Sequence, residues 1–328
     1  MVRVRFDLLW LSFVGTFLIE SNAWKTSDWM KDHMKQIGER TLKQICIPGT
    51  HNSGMNQING KTASAKSCNI LHQSGTILKQ LELGIRFFDV KPVISQGKFK
   101  TGYYRKNSED VWEGGNGQFM HSIVNDINKF TKNHNELVII YLSQSLNTDM
   151  KYRSFNQEEW NRLFQLLDRT RNLFVTSRDA YLPDFTLRNL TGNWSRSSVV
   201  YIIHEREFDL GDRFGKGYFN WKSLALYLKY SETNDFSVML EDQINKMKTV
   251  SHSRYFLFPW TLTLSSDDVA MCPIGTSVKL LAKNANENLH TIVQYVSENA
   301  YPNIISVDYV ENNEVTLVTL AVNNLLDF

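Results

Sequence analysis

Apolar runs and amphipathic stretches alternate along most of the chain. Short continuous runs rich in β-branched residues predict buried strands, whereas apolar residues at every third or fourth position predict helices that bury one face. The predicted strands cover residues 44–49, 85–91, 136–142, 198–203, 254–258 and 303–310, and the predicted helices cover residues 28–40, 77–83, 122–133, 157–167 and 285–298. Strands that alternate with helices are typical of parallel β/α construction.

The pattern indicates one domain. No linker rich in proline, glycine or serine divides the chain, and no internal repeat is visible. Residues 95–118 and 205–236 are predicted to be irregular segments with many aromatic and charged residues, and loops of that length are often functional. We therefore expect an α/β fold with a single barrel-like domain.

The composition sets the size of the core and excludes one class of partner. The chain has 328 residues, of which 42% are hydrophobic and 12% aromatic, enough for a sizeable core. Its formal net charge is only +2, and it contains no basic tract. Nucleic acid is therefore not an expected partner, and we expect a monomer.

The amino terminus predicts export from the cell. Arg3 and Arg5 precede a short apolar segment that ends near the small residue Ala23, as in a secretory signal peptide. We expect a signal peptide at residues 1–23 and a secreted, extracellular chain at residues 24–328. An uncleaved membrane anchor is the alternative interpretation.

Two sequons and three cysteines fit an extracellular compartment. Asn189 and Asn193 each begin an Asn-X-Ser/Thr sequence and are predicted glycosylation sites. Cys46 lies in the first predicted strand, where cysteine acts as a small buried hydrophobe. Cys68 and Cys272 lie in polar segments and could pair as a disulfide. The cysteine spacing indicates no metal site.

Polar side chains follow most of the predicted strands. In a parallel barrel the carboxyl ends of the strands meet at one mouth, where barrel enzymes carry their active sites. The residues expected there are His51, Asn52, Asp89, Lys91, Ser143, Gln144, His204, Glu205, Trp260 and Asp308. Histidines, carboxylates and a lysine that converge at one mouth predict an acid-base site for an anionic substrate.

Four segments of the chain form a recognisable set. They are Pro-Gly-Thr-His-Asn-Ser at 48–53, Gly-Ile-Arg-Phe-Phe-Asp-Val at 84–90, Asn-Glu-Leu-Val-Ile-Ile at 135–140 and Ser-Val-Asp-Tyr at 306–309. In order and spacing this set resembles the phosphatidylinositol-specific phospholipase C X-domain family over most of the predicted mature chain. The glycine-rich segment 114–118 is similar to that of the secreted single-domain phospholipase C-like phosphodiesterases.

The resemblance implies a distorted TIM barrel that cleaves phosphodiesters by general acid-base catalysis without a cofactor. His51 matches the histidine that takes the proton from the inositol 2-hydroxyl as it attacks phosphorus, which gives a cyclic phosphate. Asp308 matches the aspartate that orients this histidine. Asn52 matches the neighbour that contacts the phosphate or, in calcium-dependent members, the metal.

The resemblance also bears on the metal. Calcium-dependent relatives carry two acids at the positions of Asp89 and Lys91, whereas bacterial secreted relatives carry an arginine at the second. Lys91 is a fixed cation that can neutralise a phosphate, so we expect a metal-independent site. A calcium site through Asn52 and Asp89 is the weaker alternative, because calcium prefers hard oxygen ligands.

The second catalytic histidine of the family has no direct match. Tyr103 or Tyr104 stands where the secreted relatives place it, and tyrosine is a poorer proton shuttle at neutral pH. His121, at the start of a predicted helix, and His204, at a strand end, are the other candidates for the general acid. Asn52, Asp89, His204 and Trp260 are the expected substrate-binding residues.

Three functions remain after these observations. The leading one is a secreted phosphoric diester hydrolase that acts on phosphoinositide-like or other lipid phosphodiesters at a membrane surface. Aromatic residues in the segments predicted to be irregular could contact lipid: Tyr103, Tyr104, Trp112, Phe119, Phe214, Tyr218, Phe219 and Trp221. The second is a degenerate relative that binds anions or lipids without turnover. The third, a glycerophosphodiesterase, ranks last because Asp89 with Lys91 does not supply its metal-binding acids.

Overall fold

The computed structural model of the protein describes residues 25–107, 109–177, 180–206, 208–250, 254–272 and 274–328. The predicted signal peptide lies outside these residues. Among the described helices, none is long and apolar enough to cross a membrane.

The described residues form twelve strands and eleven α-helices. The strands are β1 Ile47–Thr50, β2 Phe87–Val90, β3 Pro92–Ser95, β4 Lys98–Lys106, β5 Trp112–Phe119, β6 Leu137–Leu142, β7 Leu146–Asn147, β8 Ser198–Ile203, β9 Tyr218–Asn220, β10 Leu226–Tyr227, β11 Tyr255–Trp260 and β12 Ile304–Val307. The helices are α1 Trp29–Asp32, α2 Met34–Ile37, α3 Ser67–Ile70, α4 Ile77–Glu82, α5 Met120–Thr131, α6 Gln157–Leu167, α7 Leu187–Leu190, α8 Phe236–Val250, α9 Ser266–Met271, α10 Val278–Asn286 and α11 Glu314–Leu325.

Eight parallel strands make one curled sheet in the order β10-β11-β12-β1-β2-β6-β8-β9. The two end strands, β9 and β10, do not pair with each other within the described residues. The predicted α/β barrel is therefore confirmed in a distorted form, a half-barrel that is open on one side. β1 lies between β12 and β2, so the carboxyl ends of these three strands adjoin.

Alternate residues of the strands divide the core into two layers. In β6, Val138, Ile140 and Leu142 pack with α5 and α6, whereas Ile139 and Tyr141 pack inside the barrel. The segment before β1 covers the end of the barrel that lies opposite the mouth. Trp29 of this segment packs in the inner cluster, and its Nε1 donates to Gly84 O, just before β2 (2.8 Å). The end of the barrel opposite the mouth is therefore closed by packed apolar side chains.

A buried ion pair joins the amino-terminal ends of two neighbouring strands. Arg86 Nε lies 2.9 Å from Glu136 Oε2, and both side chains are fully buried. The two terminal nitrogens of the Arg86 guanidinium donate to the backbone oxygens of Ser27, Leu81 and Ile85 at 2.7 to 2.9 Å. The pair therefore connects the segment before β1 with β2 and β6.

Several predicted elements agree with the structure. Helix α6 has the predicted bounds, because Asn156 and Glu159 form a reciprocal capping box and Trp160, Leu163 and Phe164 are buried on one face. A disulfide joins Cys68 to Cys272, with 6.2 Å between their Cα atoms, and Cys46 is buried.

Other predictions were wrong. Residues 95–118 are not irregular: β4 and β5 pair in an antiparallel hairpin of a second sheet, ordered β5-β4-β3-β7. The helix predicted at 285–298 lies earlier, as α10, and is followed by a 3-10 helix at Leu289–Tyr295. The helix predicted at 28–40 is broken into α1 and α2.

Candidate active site

The turn after β1 carries the central histidine and is held on both sides by backbone hydrogen bonds. His51 N donates to Val307 O of β12 (3.0 Å), and Ser53 N donates to Asp89 O of β2 (2.7 Å). Between them Asn52 adopts a left-handed conformation with φ +44°, which asparagine tolerates better than most residues. The chain can therefore reverse at this point while both neighbours stay attached to the sheet.

Two buried glutamines form hydrogen bonds with the same turn. Gln73 Nε2 donates to His51 O (2.8 Å) and to Val307 O (3.1 Å). Gln80 Nε2 donates to Ser53 O (2.8 Å), and its Oε1 accepts from Thr50 (2.8 Å). These bonds satisfy the backbone oxygens of a buried turn and hold the backbone of His51 in place.

Two histidines bond to one carboxylate oxygen at the centre of the site. Asp308 Oδ1 lies 3.0 Å from His51 Nδ1 and 3.2 Å from His72 Nδ1. The two imidazole rings meet edge to face, with their centroids 5.1 Å apart. Burial alone would raise the pKa of Asp308, but His51 and His72 outweigh it and hold that pKa well below its usual range.

The opposite nitrogen of His51 faces an amide. Asn52 Nδ2 donates to His51 Nε2 (2.9 Å), so this nitrogen carries a lone pair while Nδ1 carries the proton bonded to Asp308. A neutral imidazole in this tautomer can accept a proton from a substrate hydroxyl that takes the place of the amide. The Oδ1 atom of Asn52 is buried and has no partner within the described residues.

Asp89, Lys91 and Tyr103 extend the site along the end of β2. Asp89 accepts from the hydroxyl of Ser143 and lies 3.5 Å from the backbone N of Asn52. Lys91 Nζ lies 5.7 Å from the ring centroid of Tyr103, and that ring packs against His72 at 4.5 Å. Lys91 and the Tyr103 ring are therefore neighbours beside the two histidines.

Of the proposed general acids, Tyr103 is the one that the contacts of the described residues join to the cluster, because its ring packs against His72. Burial raises the pKa of its phenol above the ordinary value, so the hydroxyl is a weaker acid than that of an exposed tyrosine. Tyr104 follows it in β4 and donates to Asn116 Oδ1 (2.9 Å). His121 is exposed at the start of α5 and packs against Phe119, and no described bond or ring contact joins it to His51.

His204 lies beside a cleft that adjoins the site. Its ring packs against Tyr141 at 5.5 Å, and Tyr141 pairs in the sheet with Asp89. Burial lowers the pKa of His204. The cleft has a volume of about 970 Å³ and is lined by Arg153, Ser154, Phe155, Asn156, Gln157, His204, Glu205, Arg206, Trp221, Leu226 and Arg254.

Some residues expected at the mouth belong to the core instead. Trp260 is fully buried and donates from Nε1 to Ala285 O (2.7 Å), so it does not contact substrate. Tyr218 and Phe219 are also buried and do not form a lipid-facing surface. The sequon residues Asn189 and Asn193 are exposed, and their glycosylation stays a prediction.

The alternative calcium site through Asn52 and Asp89 stays a prediction. Calcium takes six to eight oxygen ligands, and here Asn52 Oδ1 and the Asp89 carboxylate are the hard oxygens that the sequence suggested. Lys91, in place of a second acid, adds a positive charge. The side chains of His51, His72 and Asp308 also converge, but they offer two nitrogens and are bonded to one another.

The sequence pattern missed two residues of the site. His72 lies in the loop after α3, and its backbone is fixed by bonds to Met55 O (2.9 Å) and from Tyr309 N (2.7 Å). Tyr230 follows β10, and its ring packs against His51 at 5.3 Å. A polar His-Gln-Ser-Gly run at 72–75 was the available signal for the first, and nothing in the pattern pointed to the second.

Comparison with solved structures identifies the fold. Neither a protein-family model nor a curated protein matches the chain. A variant of the phosphatidylinositol-specific phospholipase C from Staphylococcus aureus aligns over 93% of this chain and 98% of its own, with TM-score 0.64 and 16% identity. A second structure of that enzyme aligns over the same shares, with TM-score 0.63 and 17% identity. The enzyme from Listeria monocytogenes aligns over 93% and 100%, with TM-score 0.60 and 14% identity. The chain therefore has the fold of the bacterial phosphatidylinositol-specific phospholipases C.

Proposed function

We propose that the protein cleaves a lipid phosphodiester of the phosphatidylinositol class, with His51 as the general base. The observation that carries this proposal is the 3.0 Å bond between His51 Nδ1 and Asp308 Oδ1. The bond lies at the carboxyl ends of two adjacent parallel strands, which is where barrel enzymes perform their chemistry. The shared fold supports a phosphodiesterase-like role.

The chemistry follows from the tautomer of His51. A hydroxyl of the head group donates to Nε2, its proton moves to that nitrogen, and its oxygen attacks phosphorus. The bond from phosphorus to the diacylglycerol oxygen breaks, which gives a cyclic phosphate. Asp308 stabilises the imidazolium as it forms, and Lys91 neutralises charge on the phosphate without a metal ion.

The leaving oxygen needs a proton, and we assign its donation to Tyr103. The hydroxyl of this residue is protonated at neutral pH, and burial raises its pKa further, which weakens it as an acid. The ring lies beside Lys91 and His72, so it belongs to the same cluster as the base. Tyrosine is a weaker acid than the histidine that the family uses, so we expect turnover to be slow.

We also propose that the protein is secreted and works on a membrane surface. The Cys68–Cys272 disulfide supports secretion, because such bonds persist in oxidising compartments. The Staphylococcus aureus enzyme is described in terms of its membrane binding. A lipid phosphodiester lies at such a surface, so the mouth of the barrel must reach it.

A second candidate function is anion or lipid binding without turnover. The cleft beside His204 favours it, because Arg206 and Arg254 line the cleft and neither has a carboxylate within ion-pair distance in the described part of the chain. Two unpaired guanidinium groups can bind a phosphate-rich head group in bidentate fashion.

The test is turnover on vesicles. Purified protein with its disulfide intact is incubated with phosphatidylinositol vesicles and, separately, with phosphatidylcholine vesicles, each with and without a chelator. Phosphorus NMR then identifies the water-soluble phosphate ester. We expect a cyclic inositol phosphate from the first vesicles alone, at a rate that the chelator does not change.

The control is His51→Ala protein prepared in parallel. Release that equals this control would overturn the hydrolase proposal. Sedimentation with the same vesicles then tests the second candidate: binding that is lost in the Arg206→Ala, Arg254→Ala double variant supports it, and equal sedimentation of both proteins rejects it.

A further inference from the structure

We propose that His51, His72 and Asp308 form a binding site for a zinc ion, and that the ion switches off the base. Each of the three side chains offers one ligand atom, and these atoms lie within 4.8 Å of one another. They come from the turn after β1, the loop after α3 and the end of β12. The effect on turnover rests on the proposed function, whereas zinc binding can be measured without it.

The spacing of the three ligand atoms is close to that of a zinc site. A tetrahedral zinc ion with bonds of about 2.0–2.1 Å holds neighbouring ligand atoms about 3.3 Å apart. Asp308 Oδ1 lies 3.0 Å from His51 Nδ1 and 3.2 Å from His72 Nδ1. Rotation of the two rings about their Cβ–Cγ bonds turns the nitrogens from the oxygen towards an ion beside it. The backbone therefore needs little rearrangement to form the site.

The donor set and the access to it fit zinc. Two imidazole nitrogens with one carboxylate oxygen are a set that zinc takes in proteins, with water as the fourth ligand. The His51 side chain is 13% exposed, against 6% for His72 and 4% for Asp308, so the ion and its water meet solvent on the side of His51. The disulfide supports an oxidising compartment, where redox-inert zinc persists better than ferrous iron.

The charge of the site favours a divalent cation. The two carboxylates, Asp308 and Asp89, outnumber the one cation, Lys91, among the charged groups described at the site. Asp89 Oδ2 lies 3.5 Å from the backbone N of Asn52, next to His51. Both imidazoles are neutral when each donates from Nδ1 to Asp308, so the site carries a net negative charge.

Zinc would change the tautomer of the base. A metal on Nδ1 of His51 needs the lone pair of that nitrogen, so the proton of the ring moves to Nε2. Asn52 can meet this N–H, because its Oδ1 is buried without a partner in the described residues and its Nδ2 already lies 2.9 Å from Nε2. A flip of the amide puts Oδ1 in the place of Nδ2, which gives the ligand the outer acceptor that metal-bound histidines have.

This change of tautomer removes the function of His51. The atom that must take the proton of the substrate hydroxyl is Nε2, and in the zinc-bound ring it already carries a hydrogen. Zinc therefore inhibits even where it leaves room for the lipid head group.

His72 makes the binding reversible. Its Nε2 is buried and meets no acceptor among the described residues. When zinc takes Nδ1, the proton of this ring also moves to Nε2 and stays unpaired there, which weakens the ligand. We therefore expect the ion to be held less tightly than at a structural zinc site, as a switch requires.

The first experiment measures zinc binding by calorimetry. Protein with its disulfide intact is freed of metal with a chelator, and zinc chloride is then added. We expect one ion per chain. The affinity should fall by at least about 100-fold in His72→Phe and in His51→Ala, because changing even an outer partner of a zinc ligand costs about 10- to 100-fold. Cobalt in place of zinc should show the visible absorption of a tetrahedral site.

The control is a histidine that bonds a carboxylate elsewhere. His134 Nδ1 lies 2.8 Å from Asp28 Oδ1, and His134→Phe should leave the zinc affinity unchanged. Circular dichroism shows which variants are folded. An affinity in folded His72→Phe or His51→Ala that equals that of the wild-type protein would overturn the proposal, since the ion would then be held by other histidines.

Nitrogen-15 NMR of the histidine rings provides the second readout. At mildly alkaline pH, where imidazole is neutral, the proton of His51 should lie on Nδ1 without zinc and on Nε2 with zinc. An ion held at a surface histidine would not move this proton. A proton that stays on Nδ1 in zinc-saturated protein would therefore overturn the proposal.

The effect on turnover separates this proposal from the proposed function. If the protein hydrolyses phosphatidylinositol, saturating zinc should lower its rate to that of His51→Ala, and a chelator should restore it. Zinc that binds at the three residues without slowing turnover would show that His51 is not the base. That outcome rejects the proposed function and the switch, and it leaves the zinc site standing.

Discussion

His51→Ala should lower the rate of phosphodiester cleavage by roughly 10²- to 10⁴-fold, the usual contribution of a positioned general base. The loss should appear in kcat, because Nε2 takes the proton only as the reaction proceeds and contributes little to binding the lipid. Initial rates on phosphatidylinositol vesicles measure it. The fold should survive, since the turn is held by its backbone and by Gln73 and Gln80 rather than by the imidazole.

His121→Ala is the matched control for this change. The ring of His121 is exposed and contacts Phe119, outside the cluster around Asp308. We expect its replacement to leave the rate within a factor of about two. A loss as large as that of His51→Ala would identify His121 as the missing acid, and Tyr103 would lose the role assigned to it.

Glu136→Ala should lower the free energy of unfolding by about 3–5 kcal/mol, because it leaves a charged guanidinium buried without its partner. The substitution also removes the acceptor of two backbone hydrogen bonds. The backbone N–H groups of Met30 and Lys31 donate to the same carboxylate at 3.3 Å and 2.9 Å and would also be left unpaired. Urea unfolding followed by circular dichroism measures the change.

An exposed ion pair supplies the comparison. Glu39 pairs with Arg188 on the surface, where its side chain is 74% exposed. Glu39→Gln should change the free energy of unfolding by less than about 1 kcal/mol. If Glu136→Ala costs no more than Glu39→Gln, the buried pair does not hold the base of the barrel together.

The periodic elements could be predicted because each one carries its own signal. Helix α6 shows a capping box and a repeating apolar face, and β6 is a continuous apolar run rich in β-branched residues. The β4–β5 hairpin carried the opposite signal, since Gly114, Gly115 and Gly117 are typical of turns. In the structure Gly117 lies against the backbone: an added Cβ would meet Gly54 O at 2.2 Å. Position 117 therefore requires glycine because there is no room for a side chain. A single sequence does not reveal such a close contact.

Some residues of the candidate site could be predicted from the sequence, and others could not. His51 and Asp308 could be predicted because each follows a recognisable strand, and β1 and β12 turn out to be neighbours. His72 lies in a loop with no periodicity, and it meets Asp308 from 236 positions away in the chain. Trp260 was misplaced for the opposite reason: it ends a strand, but its side chain points into the core.

The Cys68–Cys272 disulfide has a practical consequence for anyone who makes this protein. It joins residues 204 positions apart, and closing a loop of that length stabilises a fold by roughly 5 kcal/mol in the chain-entropy model. Cys68 lies in α3, four residues before His72. Protein made in a reducing bacterial cytoplasm would lack this link beside the candidate site. Absence of turnover in such a preparation would therefore not test the proposed function, so the protein should be produced under oxidising conditions before any assay.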